Sequence, residues 1–141
     1  YTTGSPTVYV AYKIATGSEP ASYTFSISGT ANTHSGIIAT YREGTGLDVN
    51  GSWSTYSSSN PTVVPSITAT VEGMLLLFFA LQSSGSSVTS VPSGMTLQAS
   101  ANAGNAAIYF FDQASPAGAT GSRSVGASAT GSRTGMMLQL Y

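Results

Sequence analysis

Three apolar segments stand out along the first forty residues, one of them with apolar positions at every second residue, the period of a strand with one buried face. Residues 8–14 read Val-Tyr-Val-Ala-Tyr-Lys-Ile, β-branched and aromatic, and close at the turn Thr16-Gly17-Ser18-Glu19-Pro20. Residues 23–28 alternate strictly, with Tyr23, Phe25 and Ile27 on one face and hydroxyls on the other. A polar turn over 29–35 leads to a third strand at 36–41, Gly-Ile-Ile-Ala-Thr-Tyr.

The pattern then breaks. Residues 42–61 hold Gly44-Thr45-Gly46, Asn50-Gly51 and Ser57-Ser58-Ser59-Asn60-Pro61. They are expected to form a long connection with a short hairpin at Asn50-Gly51. Residues 63–71 are β-branched but interrupted by Pro65, which points to an edge strand or a bulge. The run 74–81, Met-Leu-Leu-Leu-Phe-Phe-Ala-Leu, is apolar at every position. Its length and its flanks, Gly73 and Ser83-Ser84-Gly85, predict a central strand buried on both faces. Further strands are expected at 95–99, after the Pro92-Ser93-Gly94 turn, and at 106–112, 122–128 and 135–141. Many short strands without an amphipathic helix predict one all-β domain over residues 1–141, a jelly-roll-like antiparallel sandwich.

Two stretches of this pattern correspond. Shifted by 99 residues, Ala107-Ile108-Tyr109-Phe110-Phe111 overlays Val8-Tyr9-Val10-Ala11-Tyr12, and Gly135-Met136-Met137 overlays Gly36-Ile37-Ile38. The sandwich is therefore expected to contain two related halves, about 7–41 and 106–141, linked by 42–105. In the second half the strands follow residues 73–99, whose counterpart in the first half would lie before residue 1. N-terminal strands are thus expected to be missing, and sheets rarely leave such an edge open. Val8, Val10, Tyr12 and Ile14 become a candidate assembly edge, to be completed by an upstream segment or another chain.

Composition changes the picture of the surface. Only 6% of residues are charged, while 24 serines and 18 threonines are spread along the chain. Solubility must therefore rest on hydroxyls and amides rather than on Lys and Glu. Net charge is −1, and the four cations, Lys13, Arg42, Arg123 and Arg133, are scattered. They cannot create the positive field that nucleic acid or an anionic membrane requires. With no cysteine there is neither a disulfide framework nor a thiolate metal site. The longest apolar run is too short to cross a bilayer as a helix.

Candidate chemistry is sparse. His34 is the sole histidine and lies in a polar turn, so neither a multi-histidine metal site nor a Ser-His-acid triad elsewhere can be built. Among the carboxylates, Glu43 and Asp48 share one connection and offer oxygen ligands for Ca²⁺, with spacing unlike an EF-hand. Glu19 and Glu72 read as turn formers, and Asp112 as a salt-bridge partner for Arg123 or Arg133. The chain is read as non-enzymatic, with no cofactor. Trp53, Tyr56 and Asn50 lie together in the irregular connection, where aromatic faces beside amides and hydroxyls suit a sugar ring. The competing reading is that Trp53 plugs one end of the sandwich.

Several motifs bear a likeness. Gly17-Ser18-Glu19-Pro20-Ala21-Ser22-Tyr23-Thr24-Phe25, followed by a Gly-Ile-Ile strand, resembles a β-sandwich domain recurrent in bacteriophage tail, fibre and other virion proteins and in bacterial extracellular proteins. Thr70-Val71-Glu72-Gly73-Met74-Leu75-Leu76-Leu77 resembles that family's T-x-x-G-x-L-L-V strand entry. Val91-Pro92-Ser93-Gly94-Met95-Thr96 resembles its P-P-S-G-W-T turn, with Met95 where Trp is usual, and Thr120-Gly121-Ser122-Arg123 resembles A-T-G-T-R. The resemblance implies a structural role in a tail fibre, head fibre or capsid decoration protein at the virion surface. Its expected partners are copies of itself or other virion proteins, together with a host-surface glycan. The alternative is an extracellular bacterial or archaeal module, either glycan-binding or a surface-filament subunit.

Overall fold

The computed structural model describes residues 7–27, 33–56, 60–83, 85–128 and 131–141. Among them the regular structure is entirely β: β1 (Leu47–Asn50), β2 (Ser54–Tyr56), β3 (Thr62–Val64), β4 (Thr68–Ala69), β5 (Gly73–Gln82), β6 (Val88–Ser90), β7 (Thr96–Ala103), β8 (Ala106–Ser115), β9 (Gly118–Ala119), β10 (Arg123–Ala127) and β11 (Ser132–Leu140). A six-stranded antiparallel sheet runs β1-β11-β5-β8-β7, with β2 also on β11. A smaller sheet, β3-β10-β6, packs against it, and β4 pairs with β9. The protein is an all-β sandwich with layers of unequal size.

The apolar run at 74–81 becomes β5, flanked by β11 and β8 in the middle of the large sheet. Alternate residues of a strand point to opposite faces, so a run that is apolar throughout must be covered twice. Leu75, Leu77, Phe79 and Leu81 face the small sheet with Tyr109, Phe111 and Met137, meeting Val64, Ile67, Met95 and Val125. Leu76 faces the other way with Phe110, Met136 and Leu138. That second face is covered by side chains from the N-terminal third and the β1–β2 region: Val10, Ile37, Tyr41, Leu47 and Trp53. Phe78 stacks on Phe110 at 5.0 Å, and Tyr41 meets the same ring edge-on at 6.3 Å.

Strand formation in the C-terminal part follows the expected pattern. The strands expected near 95–99, 106–112, 122–128 and 135–141 are β7, β8, β10 and β11. Residues 62–69 form β3 and β4 with Pro65 between them, and β3 lies at the edge of the small sheet.

The first third differs from expectation. Residues 8–14, 23–27 and 36–41 belong to no strand, and Ser28 lies outside the described residues. The expected related halves therefore diverge: 106–141 carries β8 to β11, whereas the described part of 7–41 carries no ladder. Alternation creates a strand face, but a strand also needs a neighbouring backbone, and β11 and β8 already occupy both edges of β5.

The connection over 42–61 is also not what its composition predicts. Asn50-Gly51 is no hairpin: β1 and β2 run in the same direction along β11, pairing Asn50 with Leu138 and Ser54 with Gly135. Residues 51–53 bulge between these pairs, and the Gly51 N–H donates to the Met137 carbonyl at 2.8 Å. A Cβ on Gly51 would lie 2.8 Å from Ile67 Cγ2 and 3.2 Å from the Met137 carbonyl oxygen, so a larger residue here would have to displace Ile67.

Candidate functional site

Of the three expected glycan residues, Asn50 and Trp53 have described side chains. Trp53 sits in the β1–β2 bulge, partly buried against the cluster around Leu76 and Leu138. Its indole N–H is buried without an acceptor among the described residues. Asn50 is half-buried at the end of β1. Tyr56 ends β2, and its side chain lies outside what is described.

The carboxylates are distributed differently from expectation. Asp48 accepts hydrogen bonds from the Thr70 N–H at 2.7 Å, the Thr70 hydroxyl and the Val71 N–H at 3.4 Å. These bonds, led by that of the Thr70 side chain, hold its carboxyl below the usual range. Its oxygens thus brace the turn before β5. Glu43, expected beside Asp48, instead shares an open depression of about 640 Å³ with Glu72, Ser115 and Tyr141. Glu43 has φ +63°, a left-handed backbone that few glutamates adopt. No group of three or more His, Cys, Asp or Glu side chains suited to a metal occurs among the described residues. His34 is exposed.

The expected salt bridge of Asp112 is replaced by neutral donors. Asp112 accepts from the Tyr41 hydroxyl and the Gln98 amide, each at 2.7 Å. Burial and this bond push the Tyr41 phenol far above its ordinary value. Arg123 donates to the Thr120 carbonyl at 2.7 Å and to Gln113 Oε1 at 3.3 Å, so it ties a turn to β8. Arg133 is wholly buried within β11.

The candidate assembly edge splits in two. Val8 is buried, and Val10 is half-buried and packs against the large sheet, whereas Tyr12 and Ile14 are 61% and 56% exposed. In extended chain these four share one side, so the row begins on the sheet and continues past it. The chain then turns at Glu19. Its carboxylate accepts from the Lys13 ammonium at 2.7 Å, the Thr16 N–H at 2.6 Å and the Tyr23 hydroxyl. These bonds join the limb at 12–14 to the limb at 23–27, which fits the turn-forming role expected of Glu19.

Sequence reasoning missed the exposure of the second limb. Tyr23, Phe25 and Ile27 were expected on a buried face, yet Phe25 is 73% exposed, and Tyr9 and Ile38 are also exposed. Strict alternation marks which residues share a side but carries no signal of whether anything lies against it.

The Glu19 carboxyl is held down to about 2 from 4.5, first by Lys13 and then by Tyr23 and Thr16. A lowered carboxyl pKa stabilises the folded turn fully above about 4.5 and ceases to do so as pH falls through about 2. A ¹³C-carboxyl NMR titration should therefore place the Glu19 midpoint well below those of exposed glutamates. A midpoint near 4.5 would show that the turn is open in solution.

Comparison with protein-family models, with curated proteins and with solved structures returns no match at any of the three levels.

Proposed function

We propose that the chain is a non-enzymatic structural module of a virion surface that acts by packing against neighbouring chains. The observation that carries this reading is the apolar arm. From Tyr9 to Ile38 it presents seven large exposed apolar side chains, Tyr9, Tyr12, Ile14, Tyr23, Phe25, Ile27 and Ile38. Apolar side chains exposed in such number within one segment suit a surface that is covered by a neighbour. The charge-poor, hydroxyl-rich surface and the likeness of the Gly17–Phe25 and Gly73 motifs to virion β-sandwich domains support the same setting. So does the use of Glu19 and Asp48 as braces of turns, where their oxygens already accept several hydrogen bonds.

The test is localisation. Particles purified from the source culture by density gradient and labelled with an antibody to this chain should carry the label on their surface. Label confined to cell bodies, with none on particles, would reject the proposal.

A further inference from the structure

We infer that the exposed arm is completed by a second copy of this chain, through antiparallel pairing of residues 8–14 with the same residues of the partner. The inference rests on the packing role proposed above and names the partner.

Area is the first argument. Tyr12 and Ile14, on the row that the ladder joins, are 61% and 56% exposed, and Tyr9, Tyr23, Phe25, Ile27 and Ile38 add exposed apolar side chains around it. Covering such a surface is what a standard interface does, at roughly 800 Å² per partner.

Self-complementarity is the second. A two-fold interface places one patch against itself, so any uncompensated charge meets its own sign. Among the described residues of 7–38 the acidic and basic side chains besides His34 are Lys13 and Glu19, and they neutralise each other at 2.7 Å. No field remains to oppose a second copy or to select an oppositely charged partner.

Backbone and register complete the case. Residues 8–14 belong to no strand and join none of the described backbone hydrogen bonds between segments, so their N–H and C=O groups are open to a ladder. Directly opposed residues of antiparallel strands point to the same face. Pairing about Ala11 sets Val8 opposite Ile14 and Val10 opposite Tyr12, which joins apolar row to apolar row. The partner's Tyr12 and Ile14 then lie beside Val10 and Val8, on the side from which Val10 packs against the large sheet. A one-residue slip would set this row against Tyr9, Ala11 and Lys13 instead. In the Ala11 register each Lys13 lies opposite a tyrosine, and the two lysines do not face each other.

The chain has no cysteine, so Ala11→Cys introduces a single thiol on the proposed axis. Light scattering and sedimentation of the purified chain are expected to show a dimer, and oxidised Ala11→Cys a disulfide-linked dimer. The double variant Tyr12→Asp/Ile14→Asp alters exposed side chains, and it should be a folded monomer whose melting temperature, unlike that of the dimeric wild type, does not depend on protein concentration. A wild-type chain that stays monomeric at about 100 µM, a range in which standard interfaces associate, overturns the inference. A dimer that survives the double variant, or that crosslinks through Leu97→Cys at the β7 edge but not through Ala11→Cys, overturns it too. Surface labelling of particles despite a monomeric chain would keep the proposed function and assign the arm to a different virion protein. A monomer absent from particles would remove both readings.

Discussion

Phe79→Ala is expected to lower the unfolding free energy by about 3–5 kcal/mol, the range for emptying a fully buried aromatic site. Phe79 is 0% exposed, lies in the central strand and packs near Tyr109 with ring centroids 6.4 Å apart. Its other neighbour is Gly135 on β11, where an added Cβ would come within 3.6 Å of the Phe79 ring and 2.6 Å of Val64. The ring therefore fills the space that the glycine leaves between the two sheets. Neither backbone can move inward to close the hole, because β5 is hydrogen-bonded along its length to β8 and β11. Domains of this size are stable by only about 5–15 kcal/mol, so the variant should melt on the order of 10 °C lower. A loss below about 1 kcal/mol in urea unfolding would contradict this packing.

Gly73→Ala should be the most damaging of the small substitutions. A Cβ at Gly73 would sit 1.9 Å from the Leu140 carbonyl oxygen and 2.9 Å from its carbon. Both are backbone atoms, so relief requires the end of β11 to move away from β5. Overpacking of this kind costs about 1–3 kcal/mol, and lost ladder bonds at Met74–Leu140 add to it. Gly17→Ala is the control: nothing lies within 4 Å of its Cβ, and stability should be unchanged within about 0.5 kcal/mol. Equal urea midpoints for the two variants would remove the steric explanation for glycine at the entry to β5.

These positions also show what could be read in advance. The run at 74–81 announced a doubly buried strand through its short length and its flanks, Gly73 and Ser83-Ser84-Gly85, since eight apolar residues in a row could equally fill a buried helix. Pro65 correctly marked the edge of the small sheet. The strand pair β1 and β2 was hidden, since Gly, Ser and Asn are poor strand formers and these segments are extended by pairing with the free edge of β11. Conversely, the best strand pattern in the chain, at 8–14 and 23–27, forms no ladder, because pattern specifies a face and not a neighbour. Of the candidate sites, Glu19 was legible as the residue that closes its turn. The depression that Glu43 shares with Glu72 was not, as it depends on where the end of β11 places Tyr141.

The ladder that joins Leu77 to Met137, and Asn50 to Leu138, has a kinetic meaning as well. Apart from the β7–β8 hairpin, the large sheet is assembled from segments far apart in the chain, and such topologies fold slowly, on the millisecond-to-second scale. Until β11 docks, β5 has one open edge and an apolar surface on each side, the combination most prone to pairing with the wrong strand. With only 6% of residues charged, the chain has little electrostatic protection at that stage. Correct assembly then depends on how promptly residues 132–140 reach the waiting strand.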